Sequence, residues 1–456
     1  MNTQDTAPLE RFRSALRIRT VWPEGAIAGS PETEAAEKAL TEFQAFLQTA
    51  YPAFHSVAER TVLNPFGVVY RWPAAAASAE KPVLLLAHYD VVPVERERWT
   101  VDPFAAEVSG GFVYGRGTLD TKNSLICQME AVERLAAAGF APKRDIYLAW
   151  GGDEEWSGPL GAVKTAAYFA ERGISFSWAL DEGSVVADGM LSGVSVPLAL
   201  IGVEEKGFLD LQLTVKQTPG HASRPPNVQA VAVLGAALAR LGKKRFPFAL
   251  TPTVEAFYKS LAPLMPPLRA AVLANARFLG PLFFKVAATT PETAALLRTT
   301  LAMTQLSGSP ADNVMPSEAT AILNLRLLSG WTIERATDWV RRAIGDDRVD
   351  VSLSAVRAAN DPITASEEAA QGRGPGWSEI AASIRSCFPD AAILPFLVTA
   401  TTDSRHYAPH CDAVYRFVPV KLNSGELARV HGHDERISIE NFTAGIEFYR
   451  SLIATL

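Results

Sequence analysis

Three short apolar runs, each followed by acidic residues, constrain this chain more than any other feature. Lys81–His88 (KPVLLLAH) is apolar up to its final histidine, and Asp145–Gly151 (DIYLAWG) and Ser177–Asp181 (SWALD) read the same way. Unbroken apolar runs of this length are expected of strands covered on both faces. Between the first two, Lys122–Gly139 has helical periodicity and stops at a glycine. Strand, helix and strand in this order predict an α/β domain on a mixed, mainly parallel sheet. Such sheets bind ligands beyond the carboxyl ends of their strands. There the three runs deliver His88 and Asp90, then Asp153, Glu154 and Glu155, then Asp181 and Glu182.

After Val203 the pattern changes. Leu209, Leu211, Leu213 and Val215 alternate with polar residues, which predicts a half-exposed strand. Asn227–Gly242 reads as a helix, Thr320–Leu328 as a strand, Thr332–Ile344 as a helix and Asp350–Val356 as a strand. These make a small α+β, ferredoxin-like domain with one open sheet face, interrupted by Thr251–Thr304, an apolar, proline-punctuated helical insert. Past Asn360 the α/β character returns with a helix near Trp377–Cys387, strands near Ile393–Val398 and Val414–Val420, and a closing helix from Ser438. The predicted organisation is one α/β domain in two parts, 1–202 and 359–456, split by an inserted domain, 203–358.

Composition narrows the chemistry. With 48% apolar and 20% charged residues among 456, the chain can bury a large core, which excludes wholesale disorder. Lys and Arg number 43 against 49 acidic residues, and no basic run occurs, so no nucleic-acid partner is expected. Cys127, Cys387 and Cys411 are too scattered for a disulfide framework or a zinc ribbon, so a metal here must use His and carboxylates. The first 21 residues carry charges where a secretory signal needs an apolar core. No uncharged apolar stretch of about 18 residues occurs, so no membrane partner is expected and the cytoplasm is the expected location.

Gly115-Arg116-Gly117-Thr118-Leu119-Asp120 precedes the helix that opens near Lys122. Asp120 is either that helix's N-cap or a carboxylate aimed at the strand edge, where its two oxygens could bridge two cations about 3.5–4 Å apart. His431 and His433 are separated by one residue and would point to opposite sides of a strand, so at most one is a ligand. Acidic residues also cap helices and populate turns, but packing alone does not require three strand ends to bring them to one edge.

His88–Asp90 (HYD), Gly115–Asp120 (GRGTLD), Gly151–Gly158 (GGDEEWSG), Leu180–Gly183 (LDEG) and His431–Glu435 (HGHDE) together resemble the co-catalytic dinuclear zinc peptidases and deacylases. That family includes carboxypeptidase S, aminoacylase, carnosinase and succinyl-diaminopimelate desuccinylase. Thr402–Tyr407 (TDSRHY) and Val414–Phe417 (VYRF) look like the carboxypeptidase S and N-acyl-amino-acid hydrolase subgroup. The resemblance implies two zinc ions, with cobalt or manganese as possible substitutes. His88 and Asp181 would hold one ion, Glu155 and His431 the other, and Asp120 would bridge. It implies Asp90 orienting His88, Glu154 as general base, and a lid and dimerisation role for the inserted domain. His221, in Thr218–Ser223, resembles a lid histidine that stabilises the oxyanion from a closed lid or a second subunit. Asn313 and Arg326 resemble substrate-anchoring residues, and a substrate carboxylate would lie on Arg326 or on Thr401–Arg405, with Arg405 the candidate there.

The reaction implied is hydrolysis of an amide bond in a small peptide or N-acyl amino acid with a free carboxylate, by a metal-bridging hydroxide formed as Glu154 takes a proton from the bridging water. A homodimer through the lid is part of that expectation. Two alternatives remain: a specialised deacylase of amino-acid biosynthesis and a non-catalytic binding relative of the fold. A serine hydrolase is disfavoured because no G-x-S-x-G elbow occurs.

Overall fold

The computed structural model describes residues 6–23, 29–354 and 357–456. The first strand run forms Val83–His88, buried along its whole length, parallel to Ile146–Gly151 on one side and Trp178–Asp181 on the other. Val414–Arg416 continues the parallel set beyond Trp178–Asp181. Antiparallel strands Gly67–Trp72 and Glu59–Asn64 extend the opposite edge. Leu198–Glu205 joins beyond Val414–Arg416 and pairs in parallel with Ala392–Val398. The sheet is thus mixed with a parallel centre. One of its faces is covered by a core that includes Met129, Trp150, Phe442 and Tyr449, the other by a smaller cluster around Tyr147, Phe169 and Phe176. The helices Lys122–Ala137 and Ile439–Ile453 lie against one another.

The inserted domain has four antiparallel strands in the spatial order Thr300–Ser307, Glu318–Leu327, Gly207–Lys216, Asp350–Leu353. With Ala230–Gly242 and Ile333–Ile344 its chain order is β-α-β-β-α-β, the ferredoxin-like arrangement. Leu209, Leu211, Leu213 and Val215 are buried under its helices, as the alternation requires. Ile333–Ile344 starts at Thr332, whose hydroxyl accepts the Arg335 N–H at 3.2 Å, and stops at Gly345 with φ +58°.

Three boundaries differ from expectation. Leu198–Glu205 belongs to the large sheet, so the inserted domain begins at Lys206 rather than at residue 203. The insert is helical only through Ala295, because Thr300–Ser307 is an edge strand. Val414–Val420 is a strand only through Arg416. The strand expected over Asp350–Val356 is present at Asp350–Leu353; residues 355 and 356 lie outside the described residues.

Both connections to the inserted domain cross at one place. Glu205 N–H donates to Ile363 O at 3.0 Å, and Phe208 N–H to Asn360 O at 3.0 Å. A Cβ on Gly207 would lie 2.6 Å from Asn360 O, so only glycine lets the two backbones approach this closely. The insert's first helix, Pro252–Leu261, packs on Ala392–Val398, with Phe257 and Phe396 rings 5.6 Å apart.

Candidate metal centre

Each strand end puts a donor at the same edge. His88 closes Val83–His88, and its Nδ1 lies 3.0 Å from Asp90 O and 3.2 Å from Asp90 Oδ1. A proton on Nδ1 leaves the Nε2 lone pair facing outward, the orientation a ligating imidazole needs. Asp90 also accepts the backbone N–H groups of Glu154 and Glu155 at 3.2 and 3.1 Å, so one buried carboxylate fixes both the imidazole and the turn after Ile146–Gly151.

Asp120 sits where the sequence left two readings open. The helix Lys122–Ala137 is capped by Thr121 with no side-chain cap bond, so Asp120 is not the N-cap. Instead Asp120 Oδ1 lies 3.0 Å from His88 Nε2, and Asp120 Oδ2 lies 2.8 Å from His431 Nε2. Glu182 Oε1 is 3.2 Å from His88 Nε2 and Glu155 Oε2 is 3.3 Å from His431 Nε2. Two donor groups result, His88–Asp120–Glu182 and Asp120–Glu155–His431, with Asp120 in both. His433 is exposed and belongs to neither group.

Asp181 is the correction. Its carboxylate is buried and accepts the Ser404 N–H at 2.8 Å. Successive side chains of an extended chain face opposite ways, so when Asp181 turns to Ser404, Glu182 is the carboxylate that reaches His88.

The electrostatics show a site crowded with acids. Burial pushes Glu154 well above the usual carboxylate range, and does the same to Glu182, pushed up to about 8. Burial also raises Glu155 and Asp181. Burial works against ionised Asp120 too, but its bonds to His431 and His88 pull it well below the usual range. His431 is raised to about 10 by Asp120 first and Glu155 second. Glu155 Oε1 is buried with no hydrogen-bond partner. Two imidazoles and two glutamates around one shared aspartate, with an orphaned carboxylate oxygen, fit divalent cations of the zinc type.

Glu435 is a residue that sequence reasoning missed. It is fully buried and accepts from Leu119 N at 2.6 Å, Asp120 N at 3.2 Å and Arg116 Nη1 at 2.6 Å. It therefore holds the loop that carries Asp120. The only signal was its place at the end of HGHDE. Gly117 in that loop has φ +88°, and a Cβ there would meet Val91 at 2.8 Å.

The remaining candidates lie on the inserted domain or beside it. His221 and Asn313 come together on a two-residue ribbon in which His221 pairs with Val314 and Asn313 O accepts the Ala222 N–H. Both residues are exposed, and among the described residues no bond links His221 to the carboxylates. Arg326 stands over the Phe208 ring at 5.0 Å, with Nη1 3.5 Å from Thr401 Oγ1. Arg326 and the Thr401–Arg405 segment, alternative carboxylate sites in the sequence, are thus adjacent. Arg405 itself donates to Thr402 O at 3.2 Å and Ser157 O at 2.9 Å, tying its loop to the turn that carries Glu154 and Glu155.

Known proteins resemble this chain along nearly its whole length. The model of peptidase family M20/M25/M40 matches residues 84–455. Over 449 residues the chain is 34% identical to the N-fatty-acyl-amino acid synthase/hydrolase PM20D1 of Xenopus tropicalis, covering 98% of this chain and 85% of that one. It is 32% identical to the probable carboxypeptidase S-like 2 of Dictyostelium discoideum, covering 97% and 84%. The M20 family metallo-carboxypeptidase Sso-CP2 of Sulfolobus solfataricus superposes with a TM-score of 0.69 at 16% identity, covering 100% of this chain and 99% of that one. Human carnosine dipeptidase 1 superposes at 0.68 with 15% identity, covering 98% and 96%. At such identities the structural likeness speaks for the fold, and the sequence likeness carries the relationship. On a match that runs through both parts of the split domain and the insertion between them, the chain belongs to peptidase family M20/M25/M40.

Proposed function

We propose that the protein is a dinuclear-metal amidohydrolase that splits N-acyl amino acids into a carboxylic acid and a free amino acid. The observation that carries this reading is Asp120, whose two oxygens face two separate donor groups. Two zinc ions suit the set, one on His88, Asp120 and Glu182, the other on Asp120, Glu155 and His431, with cobalt or manganese as substitutes. When bound, such a pair polarises a carbonyl and lowers the pKa of water. Glu154, half-buried beside the donors yet in neither group, accepts the proton of the attacking water and returns it to the leaving amine. Arg326, beside Thr401, grips the amino acid's free carboxylate. His221 donates to the oxyanion after lid closure or from a second subunit.

The fatty-acyl substrate in the name of the Xenopus relative supports acyl amino acids. A peptide with a free carboxyl end is the second reading, supported by the carboxypeptidase S-like relative and served by the same arginine. A homodimer through the inserted domain is part of the proposal. Its edge strand Thr300–Ser307 is exposed along most of its length, with Met303 and Leu306 facing solvent. Three free cysteines support a reducing cytoplasmic setting.

The test is elemental analysis together with turnover of N-acyl amino acids and dipeptides, before and after chelation. About two metal equivalents and loss of activity on stripping are expected. Glu154→Gln should keep both metals and lose about 10²-fold or more in kcat. Full activity in the stripped protein would overturn the proposal.

A further inference from the structure

The helical insert has two unlike sides. Leu261, Leu273 and Phe283 point inward and are buried in the core of the inserted domain. On the outside, Phe278 is 90% exposed and Leu268 is 87% exposed. Helix Ala276–Ala287, kinked at Gly280, presents Arg277, Phe278, Pro281, Leu282 and Lys285 to solvent. The break at Gly280 separates Arg277 and Phe278 from Pro281, Leu282 and Lys285, so it is their exposure, not a single helical register, that makes them an outward apolar set flanked by basic residues.

Charge is distributed just as unevenly. No acidic residue occurs between Glu255 and Glu292, whereas Lys259, Arg269, Arg277 and Lys285 do, on a chain whose net charge is -6. Glu255 takes up Lys259 and Arg277 at 2.8 Å each. Among the described residues Arg269 and Lys285 have no carboxylate partner.

We infer that this outer face docks the protein on an anionic lipid surface. Exposed phenylalanine and leucine side chains reach the boundary between headgroups and acyl chains, and lysine and arginine stems lie along it with their charges among the headgroups. Glu255 holds Arg277, and Glu367 lines the same hollow as Arg277 and Phe278, so the charges left to complement such a surface are those of Arg269 and Lys285. No helix among the described residues is long and apolar enough to cross a membrane. The inference rests on the insert alone and is independent of the substrate assigned above.

The test is sedimentation of the full-length, metal-loaded protein with phosphatidylcholine vesicles, with and without phosphatidylserine. Binding is expected only with phosphatidylserine, and high salt should release it. Phe278→Ser with Leu282→Ser should lower the bound fraction about tenfold. Arg269→Glu with Lys285→Glu should do the same. Thermal melts equal to the parent's verify folding. No sedimentation at low salt, or equal sedimentation of parent and variants, overturns the inference. So does a parent that light scattering shows to be a dimer, that binds no vesicle, and that Phe278→Ser renders monomeric, since the face would then meet a second copy.

Discussion

At the scale of single residues, Asp181 and Glu182 show how one position of register changes a chemical role. Both are acidic and adjacent, Asp181 buried and Glu182 half-buried among other acids. Sequence could bring either to the strand edge, and only the bond from Ser404 N–H to Asp181 decides between them. Glu182→Gln should therefore reduce bound metal, measured by elemental analysis. Asp181→Ala should keep the metal and cost about 1–3 kcal/mol in thermal unfolding, because it leaves a buried N–H unpaired. Loss of metal in Asp181→Ala would reverse the two roles. His406 offers a test by pH. Its Nε2 is 3.0 Å from Ser157 O, and burial, then Arg405, lower it from 6.5 to about 4. The unfolded chain takes up the proton first, so this contribution to stability is complete above pH 6.5 and is lost on acidification towards pH 4. His406→Gln should flatten the melting temperature over that window by the equivalent of about 2 kcal/mol.

Among elements, the strand Leu198–Glu205 matters most because it ends at the crossing of the two connections. Glu205 Oε2 accepts Arg416 Nε at 2.7 Å and Thr402 Oγ1 at 2.9 Å, with both charged side chains fully buried. Thr402 Oγ1 is 2.6 Å from Ser404 Oγ, and Ser404 N–H holds Asp181. The crossing of the two connections and the edge that carries the donor groups thus share one polar chain. Arg416→Met should destabilise by about 3–5 kcal/mol in thermal unfolding, because it leaves Glu205 buried without its partner. Adding Glu205→Gln should recover much of that loss, and no recovery would exclude the stranded charge as the cause. The edge strand Thr300–Ser307 was missed for a plain reason. Its last six residues are all exposed, so it carries no alternation between buried and open faces for periodicity to detect.

For the whole molecule, the metal donors all lie on the split α/β domain, whereas His221, Asn313 and Arg326 lie on the inserted one. Under the proposed function, substrate clamping would therefore depend on how the two bodies meet. His221→Ala should leave metal content unchanged and lower kcat by about 10²–10³-fold, the range for one lost oxyanion donor. If a second subunit supplies His221, mixing His221→Ala with Glu154→Gln chains should restore activity in hybrid dimers, since one site regains both groups. No recovery with verified subunit exchange would assign His221 to its own chain.

The sequence by itself determined the elements and the donor types. Val83–His88, Ile146–Gly151 and Trp178–Asp181 are legible because a strand buried on both faces must be continuously apolar. Residues that follow such strands fall at the ligand-binding edge, which made His88, Glu154 and Glu155 legible as well. Tertiary structure alone decided what depends on contacts distant in the chain. Glu435 holds Asp120 across 315 positions, and Ser404 turns Asp181 away from His88 across 223. Periodicity reports which face of an element is buried, but no local pattern records which distant N–H a buried carboxylate accepts.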